Sequence, residues 1–232
     1  MMRRLVDYVT GTVGKYGAGA LLHDVQCRLV NSVVQFQILK GIVVRLQDIT
    51  DPSFLDDAGM DARFADCDEL MVYARAGQHG LTPAFLSEAR RRGDRCYALF
   101  DGRELAAYGW YSVLPTQIDD HFLLHFDPNW TYMYKGYTAP EYRGRRLHAI
   151  GMCRALRAVT QEGQAGLVSW IASNNFASLR SSLRLGYRVF GDAWLLRAAG
   201  VSWAYTTPGC RQYAFRVESL EDGPGSSARK AF

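Results

Sequence analysis

The sequence lacks the features that mark several special classes of protein. No apolar run approaches the roughly 20 residues of a membrane-spanning helix, and no long apolar core follows Arg3 and Arg4. We therefore expect neither a membrane span nor a signal peptide. The five cysteines are scattered, odd in number and without a Cys-x-x-Cys pair, which argues against a disulfide framework or a zinc site. These absences predict a globular protein of a reducing compartment, the cytoplasm, with no metal.

The sequence also has little net charge. The formal value is only +4, which is too small to indicate a nucleic-acid partner. The placement of the charge is more informative. Residues 51–70 hold seven acids against the single base Arg63, whereas residues 140–158 hold five arginines against the single acid Glu141. The second cluster predicts an anionic ligand in that part of the chain.

The arginine-rich cluster lies in a strand, loop and helix pattern. The stretch that begins at Trp130 is aromatic and β-branched, as in a half-buried strand, and Pro140 cannot donate to a ladder, so the strand should end there. A short loop, Arg143–Arg146, follows, and apolar residues then recur at helical spacing from Leu147 until Gly163. Loop amides and the positive end of a helix dipole would converge there, which predicts an anion site made of backbone.

A second pattern follows at once: a strand over 167–172 and a capped helix that Gly186 closes. The segment Thr138–His148 resembles the acyl-CoA-binding loop of the GNAT superfamily of N-acyltransferases. The segment Asn175–Tyr187 resembles the Asn…Gly-(Phe/Tyr) segment that comes next in that family. The resemblance covers about residues 96–217. It implies an α/β (α+β) fold in which helices flank a mixed, mostly antiparallel twisted sheet, with acetyl-CoA or another acyl-CoA as co-substrate and no metal.

The rest of the chain is predicted as a division into three parts: an extra N-terminal segment, 1–95, on the acceptor side; the core, 96–217; and a disordered tail, 218–232. The N-terminal segment should cover the sheet, and contact with a membrane surface stays open. In residues 1–20 the sequence predicts a basic helix that gives way to a glycine breaker run (Gly11, Gly14, Gly17, Gly19). Residues 21–47 are predicted as a helix followed by a strand, with a turn at Lys40–Gly41, and further helices are predicted at 63–76 and 84–92. The predicted strands are a hairpin about Asp101–Gly102, a short strand at 121–126, and closing strands at 188–190, 194–197, 201–205 and 212–217.

The resemblance implies which residues bind the donor. Backbone groups of Thr138 and Ala139 would contact the pantetheine arm, while Asn175 and Ser178 would face the pantetheine or the phosphates. The amides that would cradle the pyrophosphate belong to Arg143, Gly144, Arg145, Arg146, Leu147 and His148. The family usually has small residues where this chain has Arg146 and His148. Arg146 is therefore expected to add a charge-assisted contact to a phosphate.

The catalytic groups are less distinctive. Ser182 occupies the position of the family's usual tyrosine acid, and the core strand carries no carboxylate. The candidates on that strand are Tyr132, Tyr134 and Lys135, of which we expect Tyr134 to position the water that takes the amine proton. Ser182 would lie near the leaving thiolate. Weaker candidates are His121 and His125, which are more typical of structural histidines.

The resemblance implies direct transfer of an acyl group, expected to be acetyl, from acyl-CoA to a primary amine of a small molecule. An enzyme on the same fold that takes its acyl group from an acyl carrier protein is the first alternative, because Arg90, Arg91, Arg92 and Arg95 would suit an acidic carrier. A non-catalytic acyl-CoA-binding module is the second, because the usual acid and base are missing. The identity of the amine is not predicted, and a homodimer stays open.

Overall fold

The computed structural model describes residues 2–56 and 59–220. The helices are α1 (Met2–Tyr16), α2 (Ala18–Val30), α3 (Cys67–Arg75), α4 (Pro83–Arg92), α5 (Leu147–Gln161) and α6 (Phe176–Leu185). The strands are β1 (Gln35–Val44), β2 (Asp61–Ala65), β3 (Arg95–Asp101), β4 (Glu104–Ser112), β5 (Thr116–Asp119), β6 (Phe122–His125), β7 (Thr131–Thr138), β8 (Leu167–Ala172), β9 (Arg188–Ala198), β10 (Val201–Thr206) and β11 (Arg216–Ser219). No described helix has the length and apolar character needed to cross a bilayer.

Eight strands form the main sheet in the order β10-β9-β1-β8-β7-β4-β3-β2, and a smaller sheet has the order β11-β6-β5. In the main sheet β7 and β8 run parallel, and the other neighbouring strands are antiparallel. The predicted fold class, a mixed and mostly antiparallel sheet flanked by helices, is therefore confirmed.

Apolar cores lie on both faces of the main sheet. Helix α5 packs on one face, where Leu156 and Met152 are buried against Leu99. On the other face the small sheet contributes Phe122, which is buried in one cluster with Val168 of β8. A strand between two such layers has little access to water on either face, so β7 and β8 form the centre of the molecule.

Several predicted elements occur where the local sequence signals placed them. Thr82 caps α4 by accepting from the Phe85 amide at 3.1 Å, and Gly93 ends the helix with φ 72°. Strands β3 and β4 form the hairpin about Asp101–Gly102. Strands β7 and β8 and helices α5 and α6 also lie in their predicted segments.

The N-terminal segment is part of the main sheet and is not separate from the core. Strand β1 pairs with β8 on one side and β9 on the other, so the boundary predicted at residue 95 does not divide the fold. The turn predicted at Lys40–Gly41 is wrong, since both residues lie inside β1. A Cβ atom on Gly41 would be 2.5 Å from the Phe190 ring, so this glycine allows close packing inside a strand. The breaker run is also wrong in part, because Gly11 and Gly14 lie within α1 and Gly19 within α2, so that only Gly17 separates the two helices.

Other boundaries differ because long-range pairing overrides local propensity. The first part of the helix predicted at 63–76 is strand β2, which pairs with β3, and Asp66 then caps α3. The strands predicted at 188–190 and 194–197 are one strand, β9. A short 3-10 helix, Pro208–Tyr213, replaces the start of the strand predicted at 212–217.

Two further differences concern the small sheet. Strand β5 was not predicted from the sequence, and it pairs with β6. The disordered tail predicted from residue 218 is wrong at its start, because Glu218 and Ser219 belong to β11 and pair with β6. The remainder of that prediction, residues 221–232, lies outside the described residues.

Candidate active site

A cleft opens where the two parallel strands separate. Strands β7 and β8 pair only at Thr131↔Leu167 and Tyr132↔Val168, although β7 continues to Thr138 and β8 to Ala172. Beyond Tyr132 the edges of β7 and β8 that face each other are therefore not paired as strands. The resulting β7–β8 cleft has a volume of about 370 Å³. Its lining residues come from both strands and from α5 and α6, and include Tyr132, Met133, Tyr134, Lys135, His148, Ser169, Trp170, Asn175, Ser178 and Ser182.

A bulge in β7 contributes to this separation. Trp110 of β4 lies opposite Lys135, and the next β4 residue, Tyr111, lies opposite Met133, so Tyr134 is the extra residue. Bulges bend a strand and change the direction in which a side chain points. At the closed end of the cleft, the Ser169 hydroxyl donates to the Met133 carbonyl at 2.7 Å, which links the two strands where their ladder ends.

The N-terminus of α5 lies at the mouth of the cleft. Its cap residue, Arg146, makes no side-chain cap, and the first bond of the helix runs from the Ile150 amide to the Arg146 carbonyl at 3.1 Å. The amides of Leu147, His148 and Ala149 precede that bond and have no acceptor within the helix. Since His148 also lines the cleft, these amides and the open end of the cleft are continuous. The unpaired amides at the start of α5 are the arrangement that the predicted anion site requires.

The segment Arg143–Arg146, which we call the arginine loop, adds positive charge around these amides. Gly144 has φ 82°, and Arg146 has φ 60°, a left-handed conformation that glycine adopts without strain. This explains why a small residue suits the position of Arg146. Within residues 2–56 and 59–220, none of the three loop guanidiniums forms an ion pair. The three arginines belong to the loop that leads directly into the uncapped helix terminus, and the Arg146 guanidinium lies over the Phe54 ring, 6.0 Å from its centroid.

His148 extends from α5 across the cleft mouth. A Cβ atom on Gly136 would lie 2.4 Å from the His148 ring, so the imidazole packs directly on the β7 backbone. The surrounding protein lowers the pKa of His148 by desolvation, even though more than a third of the residue is exposed to the open cleft. The ring is consequently neutral at pH 7.

Helix α6 forms the wall opposite α5. Its cap residue, Asn175, accepts from the Ser178 amide at 3.2 Å through its side chain, and both residues line the cleft as expected. Ser182 lies one turn further along the same wall. Ser181 and Leu185 of α6 also line the cleft, and the sequence did not single them out.

One predicted pantetheine contact is not free to be made. The Ala139 amide already donates to the Ala106 carbonyl at 2.9 Å, and the Ala139 carbonyl accepts from the Tyr142 amide at 2.9 Å. The residue is also fully buried. We therefore remove Ala139 from the donor-binding set, because the register between β4 and the end of β7 uses its backbone groups. Thr138 remains in the set, at the end of β7.

Tyr134 lines the cleft, but its hydroxyl is directed to a carboxylate that the sequence did not single out. The phenol donates to Asp94 Oδ2 at 3.1 Å, and Asp94 is 8% exposed. Burial, followed by the charge of Asp94, raises the pKa of Tyr134 well above its ordinary value of about 10. Tyr134 is therefore protonated at every pH at which the protein would work. Asp94 and Tyr134 are 40 residues apart, so no local motif reveals this contact.

The other candidate bases have different surroundings. Lys135 donates to the Gly80 carbonyl at 2.8 Å, and burial lowers the pKa of its ammonium group. His125 bonds Glu218 at 2.8 Å, as part of the pairing between β6 and β11. His121 lines a second cavity, of about 340 Å³, whose lining also includes Asp119 and Ser173. Neither His121 nor His125 lines the β7–β8 cleft.

The N-terminal helices support the loop between β8 and α6. The side-chain amide of Asn174 donates to Asp24 Oδ1 at 3.1 Å, and a His23 ring nitrogen lies 2.8 Å from the Ser173 hydroxyl. On α6, the ring of Phe176 is 5.6 Å from that of Tyr16, measured between centroids. These contacts hold the segment that presents Asn175. Sequence reasoning missed this role because the contacts join residues about 150 positions apart.

No family model matches the chain, and no curated protein matches it. Among solved structures, one similar protein is from Novosphingobium aromaticivorans and is provisionally described as an acetyltransferase of the GNAT family (21% identity, 72% of this chain and 67% of that chain, TM-score 0.47). A GCN5-related N-acetyltransferase from Kribbella flavida matches with 16% identity over 75% of this chain and 63% of that one, with a TM-score of 0.48. A GNAT-family acetyltransferase from Colwellia psychrerythraea matches with 14% identity over 75% of this chain and 60% of that one, also with a TM-score of 0.48. All three TM-scores are below 0.5, and we base no inference on them.

Proposed function

We propose that this chain is an N-acyltransferase of the GNAT superfamily that moves an acyl group from acyl-CoA directly to a primary amine. The observation that carries the proposal is the position of the uncapped α5 terminus at the mouth of a cleft between two separating parallel strands. A polyphosphate at the terminus and a thioester inside the cleft would be two ends of one extended ligand. The sequence motifs that resemble the GNAT loop and the following helix lie on the same two walls.

The donor would bind with its pyrophosphate on the α5 amides and the arginine loop. Anions are stabilised at such a terminus by the unsatisfied N–H groups and by the helix dipole. The pantetheine arm would then pass His148 and lie between β7 and α6, where Asn175 and Ser178 offer polar contacts. Metal ions are not required by this scheme, because backbone and guanidinium groups supply the positive charge.

The chemistry would take place between the strands. Backbone N–H groups on the unpaired edges of β7 and β8 are suited to polarise the thioester carbonyl and to stabilise the oxyanion that forms when the amine attacks. A thiol of the CoA type has a pKa of about 8.5, so its thiolate leaves without a strong acid. Ser182 on the α6 wall, or a water there, is sufficient to assist it.

A titration of the chain with CoA and acetyl-CoA by calorimetry tests the donor site. Turnover is tested by following thiol release from acetyl-CoA in the presence of a polyamine, an amino acid, an amino sugar and an arylalkylamine. We expect micromolar or tighter donor binding and acetylation of at least one class of amine. Lack of binding by CoA thioesters would contradict the proposal. Binding without any turnover would favour the non-catalytic module.

A carrier-protein donor has less support than acyl-CoA. The four arginines that would attract an acidic carrier are each bonded to a carboxylate of this chain: Arg90 to Asp66 and Asp68, Arg91 to Glu88, Arg92 to Asp94 and Arg95 to Glu162. Much of their charge is therefore already compensated. Turnover of acetylated acyl carrier protein in the same assay, faster than turnover of acetyl-CoA, would favour the carrier instead.

A further inference from the structure

Asp94 is a buried carboxylate beside the β7–β8 cleft. It follows Gly93 at the C-terminal end of α4, and its side chain is 3% exposed. Oδ2 accepts from Arg92 Nε at 3.0 Å and from the Tyr134 hydroxyl at 3.1 Å. Oδ1 is buried without a hydrogen-bond partner among the described residues. Buried carboxylate oxygens normally have partners, so Asp94 has one hydrogen bond fewer than a buried carboxylate usually makes.

Arg92 holds this carboxylate in a single orientation. Its guanidinium also donates to Ser112 Oγ at 3.2 Å, to the Pro115 carbonyl at 3.0 Å and to Thr116 Oγ1 at 3.0 Å. Contacts from α4, β4 and β5 thus fix the arginine, and the arginine and Tyr134 fix Asp94. Such a network costs conformational entropy and gives precise alignment, which suits a catalytic site.

Tyr134 connects Asp94 to the cleft. Its side chain lines the cleft in one apolar cluster with Trp170 and Tyr132, on the face away from α5. A protonated phenol that donates to a carboxylate keeps its oxygen lone pairs free to accept a hydrogen bond from an amine. The titratable and charged groups that face the phenol are Asp94, Arg92 and the buried thiol of Cys96, of which only Asp94 is able to accept a proton from it.

We propose that Asp94 is the proton acceptor of the acyl transfer and that it acts through the hydroxyl of Tyr134. The inference rests on the function proposed above. In this step the amine nitrogen forms a C–N bond with the thioester carbonyl, and the C–S bond breaks. The N–H proton moves to the Tyr134 oxygen while the phenol proton moves to Asp94 Oδ2, so the phenol ends as it began. The departing thiolate takes a proton from water, and Asp94 returns its proton to solvent, which leaves an amide and a free thiol.

Other groups are less suited to this role. The described residues that line the cleft include no carboxylate. Lys135 lines the cleft but is bonded to the Gly80 carbonyl. His148 packs on Gly136 from the α5 side, where the donor would bind. Asp94 would receive the proton without touching the amine, so it acts through Tyr134 as a positioning residue. Tyr134 is the residue that would contact the amine.

The inference is tested with Asp94→Asn, Tyr134→Phe and the double variant, assayed with acetyl-CoA and the best amine of the panel. We expect each single variant to lower kcat about 100-fold at pH 7, within the range of general-base catalysis. The KM for acetyl-CoA and the calorimetric affinity for CoA should stay unchanged. The double variant should be no slower than either single one, because both substitutions interrupt the same path. The deficit should shrink towards pH 9, where hydroxide and the free amine replace the base.

Two matched variants control for simple loss of a buried polar group. Tyr108→Phe removes a hydroxyl that donates to the His79 carbonyl, and Asp192→Asn removes a carboxylate that pairs with Lys40. Both should keep kcat and the shape of the pH profile. Parent-like kcat in folded Asp94→Asn, additive losses in the double variant, or a deficit independent of pH would each overturn the inference and leave the proposed function standing. A parent chain that turns over no amine would overturn both.

Discussion

The two sides of the β7–β8 cleft are built from different kinds of polar group. On the α5 side the groups are backbone amides at a helix terminus, assisted by arginines that follow one another in the chain. On the Tyr134 side they are side chains from α4, β4 and β7 that meet only in the folded molecule. The first side is local and repeats a pattern found in many anion sites. The second follows no local pattern.

The difference indicates how each side tolerates change. Side-chain substitutions in the arginine loop should be graded in effect, because most of the donors there are backbone amides. Only a change that alters the backbone should be severe. On the Tyr134 side a single substitution should interrupt the network, because the Tyr134 hydroxyl bonds only Asp94, and the Asp94 carboxylate bonds only Tyr134 and Arg92 among the described side chains.

The largest effect on donor binding is expected from Gly144→Pro. Proline requires φ near −65°, whereas Gly144 has φ 82°, and proline also lacks the N–H group. We expect CoA affinity to fall by at least about 100-fold in calorimetry, the equivalent of about 2.7 kcal/mol. Gly163→Pro is the matched control, because Gly163 also has positive φ and lies beyond the opposite end of α5. If both folded variants bind CoA as the parent does, the α5 terminus is not the phosphate site.

Arg146→Gly is expected to have a smaller effect on CoA binding and an opposite, stabilising effect on the fold. Relief of the left-handed conformation should raise the free energy of unfolding by up to about 1 kcal/mol. Loss of the guanidinium should weaken CoA binding by about 10-fold, in the range of a charge-assisted hydrogen bond. Arg145→Gly serves as the comparison, because Arg145 does not have positive φ and lies over the Tyr142 ring at 5.3 Å. Equal or tighter CoA binding by Arg146→Gly would mean that this arginine does not contact phosphate.

A mild effect on turnover is expected from Ser182→Ala. A serine hydroxyl is far too weak an acid to protonate a thiolate, so its loss should lower kcat by no more than about fivefold. Ser181→Ala, which alters the neighbouring residue of the cleft lining, should leave kcat unchanged. Abolished turnover in Ser182→Ala with normal CoA binding would give the hydroxyl a direct role in the chemistry.

The smallest effect concerns stability against pH. Because the pKa of His148 is lowered in the folded chain, the unfolded chain binds a proton more readily below its ordinary pKa of about 6.5. Stability from this source is present above that pH and is lost as the pH falls. We expect the Tm of the parent to decrease more steeply between pH 7.5 and pH 5.5 than the Tm of His148→Asn. Parallel curves would show that the neutral ring does not contribute.

Much of the α5 side was predictable from the sequence because its determinants are close together in the chain. A strand that ends at Pro140, a loop with Gly144 and a helix that begins at Leu147 are successive local signals. The cap at Asn175 is equally local. The resemblance to GNAT enzymes relied on those same segments. The prediction of a donor-binding loop therefore rested on segments that lie close together in the chain.

The sequence by itself determined the fold class, the hairpin of β3 and β4, and the segments that form the α5 and α6 walls, since propensity, capping and turn chemistry act over a few residues. Only the tertiary structure decided the place of β1 between β8 and β9, the bonding of the Ala139 backbone to Ala106 and Tyr142, and the pairing of Tyr134 with Asp94. Register and burial decide those contacts, and both depend on residues about 30 to 160 positions apart. No local pattern encodes such a separation, because the energy of the contact exists only after the chain has folded.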